Sequence, residues 1–377
     1  MRLRTVAAVA ATTVLSAGAA AVAAGRYASD AALRPVPGRP PPDDDPLTVH
    51  DVDDGRITLT RTFAALRPGV YGLTGAGAHA VVGPVLAGAP HPPDCVVRRL
   101  EKITHGTVTP GTRMRLTPQV HAGNPRDALG IDHADVDIPG ELGGLPAWFV
   151  AGSRATWVIT VHGLGTTREH PMVVMPFLHG LRTPILDIAY RGDVGAPDSA
   201  DGIGHLGESE WRDLDAAIRY AVRYGAQRIV LYGWSIGATM ALRAAADSAL
   251  GERVTGLILD SPVLDRQATL RALAAHRVPA PLLPLAVRAA QGRTGSPGHH
   301  GHPAPRRLDP AALSRPLLIL HGPDDTVAPW GPSRELARHR PDLVTLHTVA
   351  QAAHAGMWNV DPLGYEEALR RFLTPLV

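Results

Sequence analysis

The chain has 377 residues, enough for one large α/β domain with a smaller companion, and its 37 basic and 35 acidic side chains leave a net charge of only +2. The charges are dispersed and almost all the basic ones are arginine, Lys102 being the sole lysine, so no nucleic-acid footprint is present. Cys95 is the one cysteine, which excludes an internal disulfide and a cysteine-ligated metal site.

Residues 1–25 carry Arg2 and Arg4 ahead of an uncharged Ala/Val-rich stretch from Thr5 to Gly25. This is the pattern of an export signal, with Ala21-Val22-Ala23 as a cleavage site, or of an uncleaved membrane anchor. Two leading arginines predict an N-terminus inside and the body on the extracytoplasmic side, anchored or secreted. Residues 26–50 read as a Pro-rich linker, with Pro35, Pro37, Pro40, Pro41, Pro42 and Pro46 around Asp43-Asp44-Asp45. Residues 51–133 alternate short apolar runs with turn residues: 57–60, 70–73, 80–82, 96–100 and 114–116. No helix-period run intervenes, so a small antiparallel, barrel-like β module is expected, packed beside the domain that follows.

From residue 134 to 377 the pattern changes. A hairpin over 134–138 and 145–151 precedes strands alternating with helices, which implies a parallel sheet. The expected strands are 157–161, 185–190, 228–232, 254–260, 317–320 and 344–349; the expected helices lie near 171–180, 208–224, 236–248, 332–340 and 362–372. In such sheets ligands bind beyond the carboxyl ends of the strands, so the polar residues at those ends matter.

The first such end gives His162-Gly163-Leu164, where a glycine lets the Leu164 N–H turn toward a reacting carbonyl, with His162 supporting the loop. At the end of 228–232 stands Gly233-Trp234-Ser235-Ile236-Gly237, a G-x-S-x-G at a strand-to-helix turn. It holds Ser235 Oγ clear of the backbone at a helix N-terminus, and the Ile236 N–H is the natural second donor to an oxyanion. The strand ending at 320 leads into His321-Gly322-Pro323-Asp324-Asp325, where Asp325, ahead of Asp324, is the candidate carboxylate. The last strand leads to Gln351-Ala352-Ala353-His354, and His354 among small residues is the candidate base. Ser235, Asp325 and His354 thus occur in the order nucleophile, acid, base at successive strand ends.

Through these motifs residues 136–377 resemble the α/β-hydrolases, nearest in flavour to the serine-aminopeptidase-like and monoacylglycerol-lipase-like branch of uncharacterised bacterial type. The resemblance implies an α/β fold, a mostly parallel sheet with helices on both faces, preceded here by the β-rich module. Within that superfamily the acid sometimes follows the preceding strand, which here ends in Asp260. The implied chemistry is acyl transfer through an acyl-enzyme on carboxylic esters, with amides or short peptides next, and needs no cofactor or metal. Acyl transfer to an alcohol or sugar uses the same triad, and a silent binding protein on the same fold is the alternative from another class.

Trp234, His205, Trp330 and Trp358 fall on or beside cleft loops by sequence and are candidates for an apolar substrate wall. Residues 262–313 occupy the usual place of a lid, with two short helices expected over 265–276 and 280–291. His299, His300 and His302 lie in a Gly/Pro-rich run that orders no metal site. The Arg191-Gly192-Asp193 tripeptide reads as a cleft loop rather than an adhesion motif.

Overall fold

The computed structural model describes residues 33–34, 40–41, 45–295 and 313–377. The apolar N-terminal stretch, most of the Pro-rich linker and the histidine run at 299–302 lie outside the described residues. Among the described residues no helix is long and apolar enough to cross a membrane.

Strands β1 (Leu47–Asp53), β2 (Arg56–Thr60), β3 (Tyr71–Gly75), β4 (Ala78–Val85), β5 (Cys95–His105) and β6 (Arg113–Thr117) close into an antiparallel barrel of order β1-β2-β5-β4-β3-β6. The barrel follows from period-two burial: Leu47 and Val49, Ile57 and Leu59, Tyr71 and Leu73, Ala80 and Val82 all point into one core. Strand β1 begins inside the stretch expected to be linker. Its inward face offers only Leu47 and Val49 in an acidic setting, too weak a pattern to stand out before the partners β2 and β6 are seen.

Arg98 is fully buried at the barrel wall. Its guanidinium donates to the carbonyls of Gly83 (2.9 Å), Ala65 (3.0 Å), Arg67 (2.7 Å) and Gly69 (2.8 Å). A buried cation is tolerable only when its donors are satisfied; here it fastens the loop between β2 and β3.

The remaining strands form an eight-stranded sheet of order β14-β13-β12-β11-β9-β10-β8-β7. The hairpin β7 (Ala134–Pro139) and β8 (Gly144–Val150) is antiparallel, and β8 joins β10 (Ile185–Ile188) antiparallel. Strands β9 (Thr156–Val161), β10, β11 (Arg228–Trp234), β12 (Val254–Asp260), β13 (Leu317–His321) and β14 (Val344–Thr348) are parallel. Ile159 and Val161 face one apolar cluster and Val158 the other, as expected of a strand buried on both faces.

On one face pack α3 (Trp211–Arg223), α4 (Ile236–Asp247) and α7 (Trp330–His339). On the other pack α2 (Met175–Gly180) and α9 (Pro362–Leu373), the latter through Tyr365, Leu369 and Leu373 at helical spacing. The helix α1 (Pro125–Leu129), capped by Asn124, links barrel to sheet. In the stretch expected to hold a lid, α5 (Arg266–Arg277) and α6 (Leu283–Gly295) pack on each other through Ala274, Val278, Ala286 and Val287. A short helix α8 (Met357–Val360) follows the loop of His354.

Candidate active site

Ser235 sits between β11 and α4 with φ 54° and ψ −116°, a conformation that L-residues avoid and that costs about 1–3 kcal/mol. The flanking glycines are sterically required. A Cβ on Gly233 would lie 2.3 Å from the Gly237 carbonyl carbon, and one on Gly237 would lie 2.4 Å from the Val161 oxygen. The Ser235 N–H donates to the Asp260 carbonyl (2.8 Å), fixing the turn against the end of β12.

Ser235 Oγ and His354 Nε2 are 2.7 Å apart, and His354 Nδ1 is 2.8 Å from Asp325 Oδ2. With the carboxylate as acceptor, Nδ1 carries the proton and Nε2 accepts from the serine hydroxyl. Asp325 Oδ1 accepts from the N–H groups of Val327 and Ala328, both at 2.9 Å, and Oδ2 accepts also from His321 Nε2 at 3.0 Å. Burial pushes this carboxyl up, but the facing His354 and the hydrogen bonds of His321 and His354 outweigh it and hold the group well below its ordinary range. Asp325 is therefore a fixed anion. The sequence marks His321 as the first residue of the acid loop, but not its bond to Asp325 or its pairing with Ser333 Oγ at 2.8 Å; the strand itself runs on to His321.

The other two carboxylates considered for the acid face elsewhere. Asp324 Oδ2 accepts from the Gln351 N–H (2.7 Å), tying the acid loop to the histidine loop. Asp260 accepts from Ser261 Oγ (2.8 Å) and from the Tyr365 hydroxyl (2.9 Å), away from the imidazole. Ser261 Oγ in turn accepts from the Ala355 N–H (2.9 Å), while His170 Nε2 donates to the Ala355 carbonyl (3.1 Å). The residue after His354 is thus held at both ends of its peptide.

Gly163 packs against the serine so closely that a Cβ would lie 2.8 Å from Ser235 Cβ. Its carbonyl accepts from His162 Nδ1 (2.9 Å), Thr166 Oγ1 (3.0 Å) and the Tyr190 hydroxyl (3.1 Å). His162 Nε2 donates to Asp193 Oδ2 at 2.8 Å. Burial would lower the imidazole's proton affinity, yet Asp193 and the Gly163 carbonyl raise it above its usual value. His162 is thereby a buried brace for this loop. It leaves the Leu164 N–H without an acceptor among the described residues, and the Ile236 N–H is one of the free donors of the first turn of α4.

Trp234 does not belong to an apolar substrate wall. That indole is fully buried, stacked on Tyr232 at 4.1 Å and close to His170, so it packs the sheet's second core rather than a cleft. His205 is occupied within its own loop by Asp201 (3.1 Å) and Ser209 (2.9 Å). Trp330 lies under Arg334, and Trp358 packs on the second apolar cluster with its Nε1 3.4 Å from Glu366. Among the described residues none of these three rings makes a hydrogen bond or ring contact with the triad side chains.

A family model described as "Domain of unknown function (DUF8805)" matches residues 48–117, which is the barrel. No curated protein matches the chain. Among solved structures the chain is similar to the Pyrococcus furiosus esterase Pf2001 in two crystal forms. One has 21% identity and a TM-score of 0.54, covering 67% of this chain and 94% of that one. The other has 22% identity and a TM-score of 0.54, covering 68% and 94%. At this identity the likeness is one of fold. The larger part of the chain has the α/β-hydrolase fold, with the barrel added ahead of it.

Proposed function

We propose that the chain is a serine hydrolase of carboxylic esters acting through an acyl-enzyme. The observation that carries this is the continuous chain Ser235 Oγ, His354 Nε2, His354 Nδ1, Asp325 Oδ2, with separations of 2.7 and 2.8 Å, together with the Leu164 and Ile236 N–H groups, which have no acceptor among the described residues. The description of the Pyrococcus furiosus neighbour as an esterase agrees with it.

In this account His354 takes the Ser235 proton as Oγ attacks the acyl carbon. The carbonyl oxygen gains charge and is met by the N–H groups of Leu164 and Ile236; one such donor contributes about 2.7–4 kcal/mol. His354 then gives its proton to the departing alcohol, and water repeats the sequence in reverse. Asp325 stays ionised throughout and stabilises the imidazolium. The test is hydrolysis of p-nitrophenyl esters of increasing acyl length by the parent and by Ser235→Ala. Saturable turnover lost in the variant supports the proposal; equal rates from both would remove it.

A further inference from the structure

The loop that carries the Leu164 N–H is held from outside the sheet domain. After β9 it folds back on itself: the Thr166 N–H donates to the Gly163 carbonyl at 3.4 Å, and Thr166 Oγ1 accepts from the Gly163 N–H at 3.1 Å. Gly165, with φ 74°, supplies the positive φ that such a tight turn needs at its third position. These bonds fix the shape of the turn around Leu164; its position relative to Ser235 depends on what anchors the far end of the loop. The anchor begins at the next residue. The Thr167 N–H donates to Gln119 Oε1 at 3.0 Å, and Gln119 Nε2 donates to Glu169 Oε2 at 3.1 Å and to Thr167 Oγ1 at 3.3 Å. Glu169 Oε1 accepts in turn from the Gly123 N–H at 2.7 Å.

Gln119 belongs to the barrel. It closely follows the end of β6, and its own N–H donates to Thr117 Oγ1 at 3.3 Å. Its carbonyl accepts from His79 Nε2 of β4 at 3.4 Å, and β3 passes so near that a Cβ on Gly72 would lie 1.9 Å from that oxygen. The side chain is buried, with its acceptor turned to an N–H and its donor turned to a carboxylate, so the amide fits in one orientation. At the other end of the loop the His170 N–H donates to the Thr167 carbonyl at 2.9 Å, and the His170 ring holds the Ala355 carbonyl beside the candidate base. We infer that Gln119 is a positioning residue: through it the barrel holds Thr167 and Glu169, and so presents the Leu164 N–H to the oxyanion. This rests on the hydrolase reading above. It gives the barrel a part in the reaction without any contact with the substrate.

The experiment uses the full chain carrying Gln119→Glu, Glu169→Gln or both, compared with the parent at a pH where carboxylates are ionised. Gln119→Glu sets a carboxylate oxygen against Glu169 where a donor stood, and pushes the loop off its anchor. The double exchange restores a donor facing a carboxylate, and keeps one oxygen for the Thr167 N–H and another for the Gly123 N–H. The inference predicts that Gln119→Glu lowers kcat on p-nitrophenyl butyrate by about tenfold or more, short of the roughly 10²–10³ that loss of a whole donor costs, with KM within about twofold. In the double exchange kcat returns to within about threefold of the parent. A trifluoromethyl ketone, which forms a tetrahedral oxyanion on the serine, loses affinity in step with kcat, while KM does not follow. Amide hydrogen exchange gives a readout free of turnover: faster exchange across residues 163–170 in Gln119→Glu, restored in the double exchange, with β11 unchanged. Gln119→Leu, which removes the same bonds without adding charge, replaces the charged variant if that one does not fold. Equal kcat in all forms, a melting temperature that falls while kcat and the ketone's affinity hold, or a double exchange no better than Gln119→Glu would overturn the inference. A parent that hydrolyses no ester yet shows the exchange response keeps the brace and removes the hydrolase reading; hydrolysis indifferent to every exchange does the reverse.

Discussion

Asn359 and Val70 bond in both directions: the Val70 N–H donates to the Asn359 carbonyl at 2.9 Å, and Asn359 Nδ2 donates to the Val70 carbonyl at 2.8 Å. Nδ2 donates also to the Pro118 carbonyl at 3.1 Å, so one side chain holds the residue that leads into β3 and the residue that follows β6. Asn359 lies in α8, directly after the His354 loop. Gly69 completes the joint, since a Cβ there would fall 2.0 Å from the Asn359 oxygen. The barrel is therefore seated on the segment that carries the candidate base.

Replacing Asn359 by Ala leaves two half-buried carbonyls without this donor. Asn359→Ala is expected to lower unfolding stability by about 2 kcal/mol in urea titration and to reduce kcat several-fold. If stability falls while kcat is untouched, the barrel does not help to place His354.

Asp325→Asn keeps the shape of the acid loop but presents an amide where two histidine N–H groups converge. By analogy with the same change in other triads, kcat should fall by about 10⁴, with KM nearly unchanged. Asp324→Asn disturbs only the link to Gln351 and should cost less than tenfold in kcat. Steady-state kinetics of the pair distinguishes the two adjacent carboxylates; equal losses would contradict the assignment.

Gly163→Ala forces a methyl group onto Ser235 Cβ, 2.8 Å away. Either the serine or the Leu164 N–H must shift. The expected result is a loss of about 10² or more in kcat, with the far-ultraviolet spectrum retained. An active alanine variant would show that this loop does not serve the oxyanion.

Burial raises the Asp260 carboxyl from 3.8 to about 7. The folded chain thus keeps a proton that the unfolded chain releases. This group's contribution to stability is complete below about pH 4 and is lost progressively as pH rises toward 7. Asp260→Asn should therefore raise the melting temperature relative to the parent more at pH 8 than at pH 4. Asp187, likewise raised to about 7 by burial, leaves part of the slope in place. Parallel curves for parent and variant would rule out a protonated Asp260.

The strand-end residues were legible because a parallel sheet leaves few polar positions at its carboxyl edge, and the serine turn has strict glycine requirements. Ser235, His354 and Asp325 do meet. Trp234 was misjudged because sequence adjacency to a nucleophile says nothing about which face of β11 a ring occupies; alternation sends it into the core with Tyr232. Asn359 and Arg98 gave no signal of their own. Each acts across a long sequence gap or on backbone carbonyls, and a buried arginine looks like any other until its partners are placed. The barrel itself was expected from its turn spacing, but not the way its mouth is set against the histidine loop.

The most direct measurement is covalent labelling of the folded full chain by a fluorophosphonate, read as an intact-mass increase, alongside Ser235→Ala. The account predicts one adduct on the parent, none on Ser235→Ala, and much slower labelling of His354→Ala. A folded parent that takes up no label, or a label that persists in Ser235→Ala, would contradict an activated Ser235.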